Sequence, residues 1–450
     1  MSLRILLVRH GLSSFNLEHR IQGRDDLSSL TDAGVKQALA TGEALRDLTI
    51  DAAYSSPLRR AHDTAIALLA AQGGGLAPQL DDDLLEVDLA PWSGMLGTEV
   101  RESFPHEHRI WHHHPEQLQL QRADGRTYAP IPELMEQAGR FAARLLAAHD
   151  PAAPGAQTVL VVGHNAILRC LLLTLLGLPA SGFRRLRLDN ASLSVLNLTP
   201  SERGGVAVQI ESLNGTSHLH PEVCASTLPA KGPGPRMLLV RHGETDWNRQ
   251  GRFQGQIDIP LNANGRAQAA AAGDFLRRLS FDRAYTSSMA RPRQTAEGIL
   301  QHHPGVPLTS VPHLVEIGHG EWEGRLEEEI AGQWGELLAD WKRAPETVQM
   351  PGGETIHDVW DRSLQGWNRI ASSLHPDETA LVVAHDAVNK TILCALLGLS
   401  PADIWAVKQG NGGVTVIDYP HGADQPPVVV CLNQTAHLGG VLDRTAAGAL

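Results

Sequence analysis

The chain has 450 residues and a formal net charge of −12, with 38 Lys and Arg against 50 Asp and Glu. That length suggests two or three domains. The charge excludes a basic nucleic-acid-binding face but leaves room for a few arginines around a small anion.

The chain opens on an apolar run that ends in Arg9-His10-Gly11, with no signal peptide visible ahead of it. Its four cysteines, Cys170, Cys224, Cys394 and Cys431, have no metal-binding spacing and suit reduced thiols. A cytoplasmic protein is expected. No membrane partner is expected either, because apolar stretches such as Cys170–Leu178 are too short to span a bilayer.

The hexapeptide Leu6–Gly11 returns unchanged at Leu238–Gly243, 232 residues later. A repeat of this kind marks a tandem duplication. In each copy, apolar residues followed by a polar group and Gly read as a buried strand ending in a turn. Ligands of open parallel sheets bind beyond the carboxyl ends of the strands.

Further along, Thr31 and Asn262 stand where helix N-caps belong, ahead of Ala-rich helical runs. Tyr54–Ala65 returns as Tyr285–Ala296, and Leu84–Glu86 as Leu314–Glu316. Trp111 matches Trp341 at an offset of 230, whereas Val161–His164 matches Val382–His385 at 221. The first copy therefore carries about nine extra residues, placed in the polar run Gln117–Tyr128. Pro221–Arg236, rich in Pro, Gly, Ala and Ser, reads as a linker between domains 1–220 and 237–450. Strands alternating with amphipathic helices predict an α/β fold with a mostly parallel sheet in each domain.

Five polar groups occur in both copies: Arg9, His10, Arg60, Glu86 and His164, then Arg241, His242, Arg291, Glu316 and His385. Both histidines of a copy follow a buried strand, so they can meet at one sheet edge. Two arginines and two histidines around one point suit a phosphoryl group, whose charge is spread over several oxygens. A carboxyl group can protonate the leaving oxygen and later take a proton from water. Together they describe phosphoryl transfer through a phosphohistidine, with no metal and no cofactor. The attacking imidazole must be neutral, and neighbouring arginines favour that form.

Arg-His-Gly-Glu-Thr-Asp-Trp-Asn at 241–248 resembles the histidine phosphatase superfamily of phosphoglycerate mutase-like proteins. Ser55–Ala61 before Thr64-Ala65, Glu316–Gly318 leading to Glu321–Gly324, and Pro351–Glu354 carry the same resemblance. It covers nearly all of both halves and implies two tandem phosphoglycerate mutase-like domains. By position it implies that His10 and His242 accept the phosphoryl group and that Glu86 and Glu316 are the acid/base groups. It implies that Arg9, Arg60, His164, Arg241, Arg291 and His385 bind phosphate, with Asn16 and Asn248 adding hydrogen bonds. Gln22-Gly23 and Gln254-Gly255 fall on the loop that approaches substrate.

The Glu-to-Trp-x-Gly runs Glu86–Gly94 and Glu316–Gly324 resemble the phosphatase branch. So does the short segment between the acid and the second histidine. Arg20–Gly23, the ending Gly439–Asp443 and the tandem arrangement resemble the two-domain 2-carboxy-D-arabinitol-1-phosphate phosphatase type. Small sugar phosphates or sugar-acid phosphates are the substrates implied. A phosphoglycerate mutase is the nearest rival. A second rival makes domain 1 a phospho-ligand module, because Leu12 and Ile131-Pro132 stand where copy two has Glu244 and Gly352-Gly353. The sequence leaves the oligomeric state open.

Other features are expected to be structural. His112-His113-His114 matches Lys342-Arg343-Ala344, and three adjacent residues cannot point at one ion in regular structure. His218 and His437 read as buried structural histidines. Trp334, Trp341, Trp360 and Trp367 read mostly as helix-face packing, and Asp81–Asp83 as a solvated loop before a Glu86 strand.

Overall fold

The computed structural model of the chain describes residues 2–219 and 228–446. It divides into two compact units, Met1–Leu219 and His220–Leu450. Cys224 and the first part of the expected linker, 221–227, lie outside the described residues.

In the first unit the elements are β1 (Ser2–Arg9), α1 (Ser14–Leu17), α2 (Asp32–Ala44), β2 (Ala52–Ser55), α3 (Arg59–Gln72) and β3 (Gln79–Leu80). They continue with α4 (Gly97–Ser103), α5 (Pro105–His113), a hairpin of β4 (Leu120–Gln121) and β5 (Thr127–Tyr128), and α6 (Pro130–Ala148). The unit ends with β6 (Ala156–Gly163), α7 (Asn165–Leu175), β7 (Leu193–Pro200) and β8 (Val206–Gly215). Its sheet runs in the order β8-β7-β1-β6-β2-β3. β1, β6, β2 and β3 are parallel, and β7 runs against both its neighbours.

The second unit repeats the plan with β9 (Arg236–Arg241), α8 (Asp246–Gln250), α9 (Ala263–Leu276), β10 (Arg283–Thr286), α10 (Ala290–Leu300) and β11 (Leu308–Ser310). After them come α11 (Glu327–Arg343), α12 (Ile356–Ser373), β12 (Thr379–Ala384), α13 (Asp386–Leu397), β13 (Val414–Asp418) and β14 (Val428–Gln434). The order is β11-β10-β12-β9-β13-β14, with β13 antiparallel to β9 and β14. Each unit is thus the α/β layered sheet expected, with helices packed on its strands.

Sequence explains the central strands. β9 and β12 are buried along their whole length, as continuous apolar runs in a sheet covered on both faces must be. Leu238, Val240, Leu381 and Val383 join Phe275, Leu276, Ile299 and Phe281 in one core cluster. Thr31 and Asn262 cap α2 and α9, accepting from the amides of Gly34 and Gly265 at 3.0 and 2.8 Å. Those two glycines permit a close approach. A Cβ on Gly11 or Gly243 would sit 2.4 Å from the carbonyl oxygen of Gly34 or Gly265. The glycine after each Arg-His is therefore required where strand exit meets helix start.

Several expectations need correction. Arg236 is not linker but the first residue of β9. It is buried against Asp418 at 2.6 Å and also donates to the carbonyls of Pro229 and Ala230. The Pro/Gly-rich stretch from 228 is thereby docked on the second unit. Asp81–Asp83 is not a solvated loop. Asp81 caps a 3₁₀ turn, and Asp81 and Asp83 pair with Arg140 and Arg144 of α6 at 2.7 Å. Glu86 follows that turn in irregular chain rather than on a strand.

The insertion Gln117–Tyr128 contains the β4–β5 hairpin. Arg122 lies over the Tyr128 ring and pairs with Asp88 and Glu133. His218 and His437 bond the carbonyls of Ala191 and Gly412, and the His437 ring stacks on Phe275 at 4.9 Å. Trp341 and Trp367 are fully buried, whereas Trp334 sits at a kink of α11 beneath Arg325. The His112 ring lies tilted against that of His108 in α5, with centroids 4.3 Å apart, and His114 lies 3.6 Å from Glu116.

Candidate active site

The register of the parallel strands assembles each site. Arg9 pairs with Gly163 at the end of β1 and β6, so the next residues, His10 and His164, emerge side by side. The His10 amide donates to the Gly163 carbonyl at 2.9 Å, and the rings stand edge to face with centroids 5.1 Å apart. In the second unit, Arg241 pairs with Ala384, and His242 and His385 stand 5.3 Å apart. β1 leads on to β2 while its neighbour β6 leads the opposite way to β7, and β9 and β12 repeat this, so each pair of histidines sits at the reversal of strand order where open sheets form their crevice.

The imidazoles of His10 and His242 are fixed in one tautomer. Each places Nδ1 2.8 or 2.7 Å from the carbonyl oxygen of the following glycine. A carbonyl only accepts, so Nδ1 carries the proton and Nε2 presents a lone pair. In the second unit Arg291 Nε donates to that Nε2 at 3.3 Å. Burial, and then the adjacent arginines, push both histidines well below their ordinary pKa. Both are neutral nucleophile candidates at neutral pH.

Backbone carbonyls aim the guanidiniums. Arg60 donates to the carbonyls of Gly23 and Asp25, and Arg291 to those of Gly255 and Ile257. Arg9 and Arg241 donate to the carbonyls of Leu188 and Gln409. Among the described residues, the buried Nε of Arg9, Arg60 and Arg241 and the Nδ1 of His164 and His385 have no hydrogen-bond partner. An anion held between them would satisfy groups whose burial is otherwise costly.

Gln22-Gly23 and Gln254-Gly255 hold the site from behind. Besides the glycine carbonyls, Gln22 Oε1 and Gln254 Oε1 accept from Ser13 and Thr245 at 3.0 Å. Asn16 and Asn248 use Oδ1 to accept from the backbone amides of Ser13 and Thr245, and from Asn190 and Asn411, which leaves Nδ2 to donate to a ligand.

Glu86 and Glu316 sit at the starts of α7 and α13. Glu86 accepts from the amides of Val87, Ala166 and Ile167 at 2.9–3.2 Å. Glu316 accepts from Ile317, Asp386 and Ala387. Burial, and then the nearby Asp386 carboxylate, raise the pKa of Glu316. Such a carboxyl group holds its proton longer and suits a general acid.

Sequence reasoning passed over several residues present in both copies. Ser56 and Ser287 meet Nε2 of His164 and His385 at 2.8 and 2.9 Å. Thr64 and Thr295 accept from the amides of Gly11 and Gly243. Asn190 and Asn411 donate to the carbonyls of His10 and His242. Their recurrence at matching positions was the available signal. Glu244 turns out to be structural: it takes bonds from Arg249, Asn262 and Asn264. Leu12 therefore costs the first copy a clamp on its second helix rather than a group of the histidine–arginine cluster.

These two histidine–arginine–glutamate sites define a phosphoryl-handling α/β protein. The chain belongs to the histidine phosphatase superfamily (branch 1), which matches residues 5–210 and 237–434, and it is an enzyme of that phosphatase class. It is 31% identical, over 97% of its length and 86% of the relative's, to 2-carboxy-D-arabinitol-1-phosphatase of Triticum aestivum. To the probable 2-carboxy-D-arabinitol-1-phosphatase of Arabidopsis thaliana it is 28% identical, over 97% of its own length and 88% of the relative's. Among solved structures, Bacillus stearothermophilus YhfR is 30% identical over 45% of this chain and 99% of that one, with a TM-score of 0.43. Among the described residues no helix is long and apolar enough to cross a membrane.

Proposed function

We propose that each unit hydrolyses phosphomonoesters of small sugars or sugar acids through a phosphohistidine, without a metal. The observation that carries this reading is the locked, neutral imidazole of His10 and of His242, with Nε2 turned into a cluster of carbonyl-anchored guanidiniums. Nε2 attacks phosphorus as the bond to the ester oxygen breaks, and Glu86 or Glu316 donates its proton to that oxygen. The same carboxylate then takes a proton from water, which attacks phosphorus and breaks the P–N bond. Inorganic phosphate leaves and the starting imidazole is restored. Arg9, Arg60, His164 and Asn16, or Arg241, Arg291, His385 and Asn248, stabilise the phosphoryl oxygens throughout.

Relatives named for a sugar-acid phosphate along nearly the whole chain support the substrate class. The buried thiols of Cys170, Cys394 and Cys431 suit a reducing, cytoplasmic setting.

The test is phosphate release from a sugar-phosphate panel in EDTA, for wild type, His10→Ala and His242→Ala. Each single variant is expected to keep the activity of the other site, and the double variant to have none. Loss of all release on His242→Ala alone would make the first unit a phospho-ligand module. Interconversion of phosphoglycerates without release would make the protein a mutase. Activity lost in EDTA and restored by metal would overturn the mechanism.

A further inference from the structure

Both units hold the active-site arginine and histidine with the loop that precedes the strand β7 or β13, and one carboxylate braces that loop. In the first unit it belongs to the loop. Asp189 accepts from Arg187 Nε at 2.9 Å and from Asn214 Nδ2 at 3.1 Å, while its amide donates to Asn214 Oδ1 at 2.7 Å.

In the second unit the matching residue is Gly410, which keeps the backbone bond to Asn433 Oδ1 at 2.8 Å but has no carboxylate. The carboxylate arrives from Asp443, beyond β14, with a side chain only 1% exposed. Asp443 Oδ2 accepts from Lys408 and from Asn433 Nδ2, each at 3.3 Å, and Oδ1 accepts from Thr445 Oγ1 at 2.7 Å. Thr445 in turn accepts from the Asn411 amide at 3.1 Å. A Cβ on Gly410 would lie 2.7 and 2.8 Å from the two Asp443 oxygens and 2.8 Å from Thr445 Oγ1, a side-chain end that can turn away. The later segment thus fills the volume that a side chain at 410 would occupy.

The braced loop touches the chemistry directly. Gln409 O accepts from Arg241 at 2.5 Å, Asn411 donates to the His242 carbonyl at 3.1 Å, and the Gly412 amide donates to the Arg241 carbonyl. We propose that Asp443 and Thr445 form a strap that positions Arg241 and His242. The second site then depends on a segment outside its own loop for the carboxylate that the first unit carries on the loop itself, as Asp189. This makes the two sites separately controllable: displacement of the strap silences one and spares the other. Asp443 is a positioning residue, and its role rests on the phosphohydrolase reading of the site it braces.

The test uses the full chain in two backgrounds, His10→Ala to isolate the second site and His242→Ala to isolate the first. In the His10→Ala protein, Asp443→Ala should lower kcat/KM on the order of 10- to 100-fold, as misplaced active-site groups do. It should weaken inhibition by inorganic phosphate in parallel. Asp443→Asn, which keeps the shape, should fall between. Adding Gly410→Asp to Asp443→Ala rebuilds the brace of the first unit and should restore most of both losses. In the His242→Ala protein, Asp443→Ala should change nothing.

Unchanged phosphate inhibition and kcat/KM in Asp443→Ala would overturn the strap. So would a folded Gly410→Asp/Asp443→Ala protein, with Tm held, that recovers neither. If no variant hydrolyses an ester but phosphate binding still follows Asp443 and its rescue, the strap stands and the hydrolase reading fails.

Discussion

The residue that follows the second histidine of each site differs between the copies. Asp386 follows the second-site His385, and Asn165 follows His164 at the matching position. Asp386 is buried, 2.8 Å from Lys390 and 3.6 Å from Arg241, and its charge adds to burial in raising the pKa of Glu316. A raised pKa keeps Glu316 protonated to higher pH, so a reaction that needs it as an acid fails later as pH rises. Asp386→Asn removes the repelling charge. In the His10→Ala background, the high-pH limb of kcat/KM is expected to move to lower pH. A limb that stays in place would mean that Glu316 is not the acid. The paired histidines and arginines were legible because they recur unchanged after buried strands. This tuning was not, since it depends on a neighbour that differs between the copies.

At the level of elements, the two units hold the same backbone with different side chains. The turn that delivers the glutamate exposes three carbonyls to the helix α6 or α12. In the first unit Gln137 donates to Asp83 O and Leu85 O, while Arg24 donates to Glu86 O. In the second, Arg362 serves His313 O, Val315 O and Glu316 O and also grips Glu354, with Gln256 adding a bond to Glu316 O. Gln137 lies opposite Asp358 in the repeat, one helical turn from the position of Arg362, so matching the copies by sequence does not pair them. Turns of an α-helix are close enough for a longer side chain to reach the same carbonyls. Arg362→Leu removes the guanidinium donor from those carbonyls and from Glu354. It should cost the second unit roughly 2–4 kcal/mol in denaturant unfolding and lower kcat/KM of the His10→Ala protein. Loss of stability with unchanged kcat/KM would show that the Glu316 turn holds without it. The linker reading erred for a related reason: Pro and Gly marked the stretch correctly as irregular, but composition does not show that Arg236 must reach Asp418 and the carbonyls of Pro229 and Ala230.

Across the whole molecule, the proposed chemistry requires several neutral buried histidines, and their burial makes stability depend on pH. Burial, and then nearby arginines, hold His10, His164, His242 and His385 well below their ordinary pKa. Burial lowers His319 to about 3 and His437 to about 4. For a group depressed by folding, the unfolded chain binds the proton first as pH falls. The stabilisation is therefore complete above about pH 6.5, the unfolded histidine value, and is lost on acidification toward the folded values. Each such histidine contributes a slope of up to ~1.4 kcal/mol per pH unit within that window. Calorimetric Tm should accordingly fall steeply between pH 7.5 and 5.5, with net proton uptake on unfolding at the lower pH. His319 stands in the second unit where the first has Leu89, so the second transition should move further than the first. His437→Asn removes one titrating group and should flatten that steeper dependence. A Tm indifferent to pH over this range would mean that the buried histidines are charged in the native protein, and the neutral-nucleophile chemistry would fail with them.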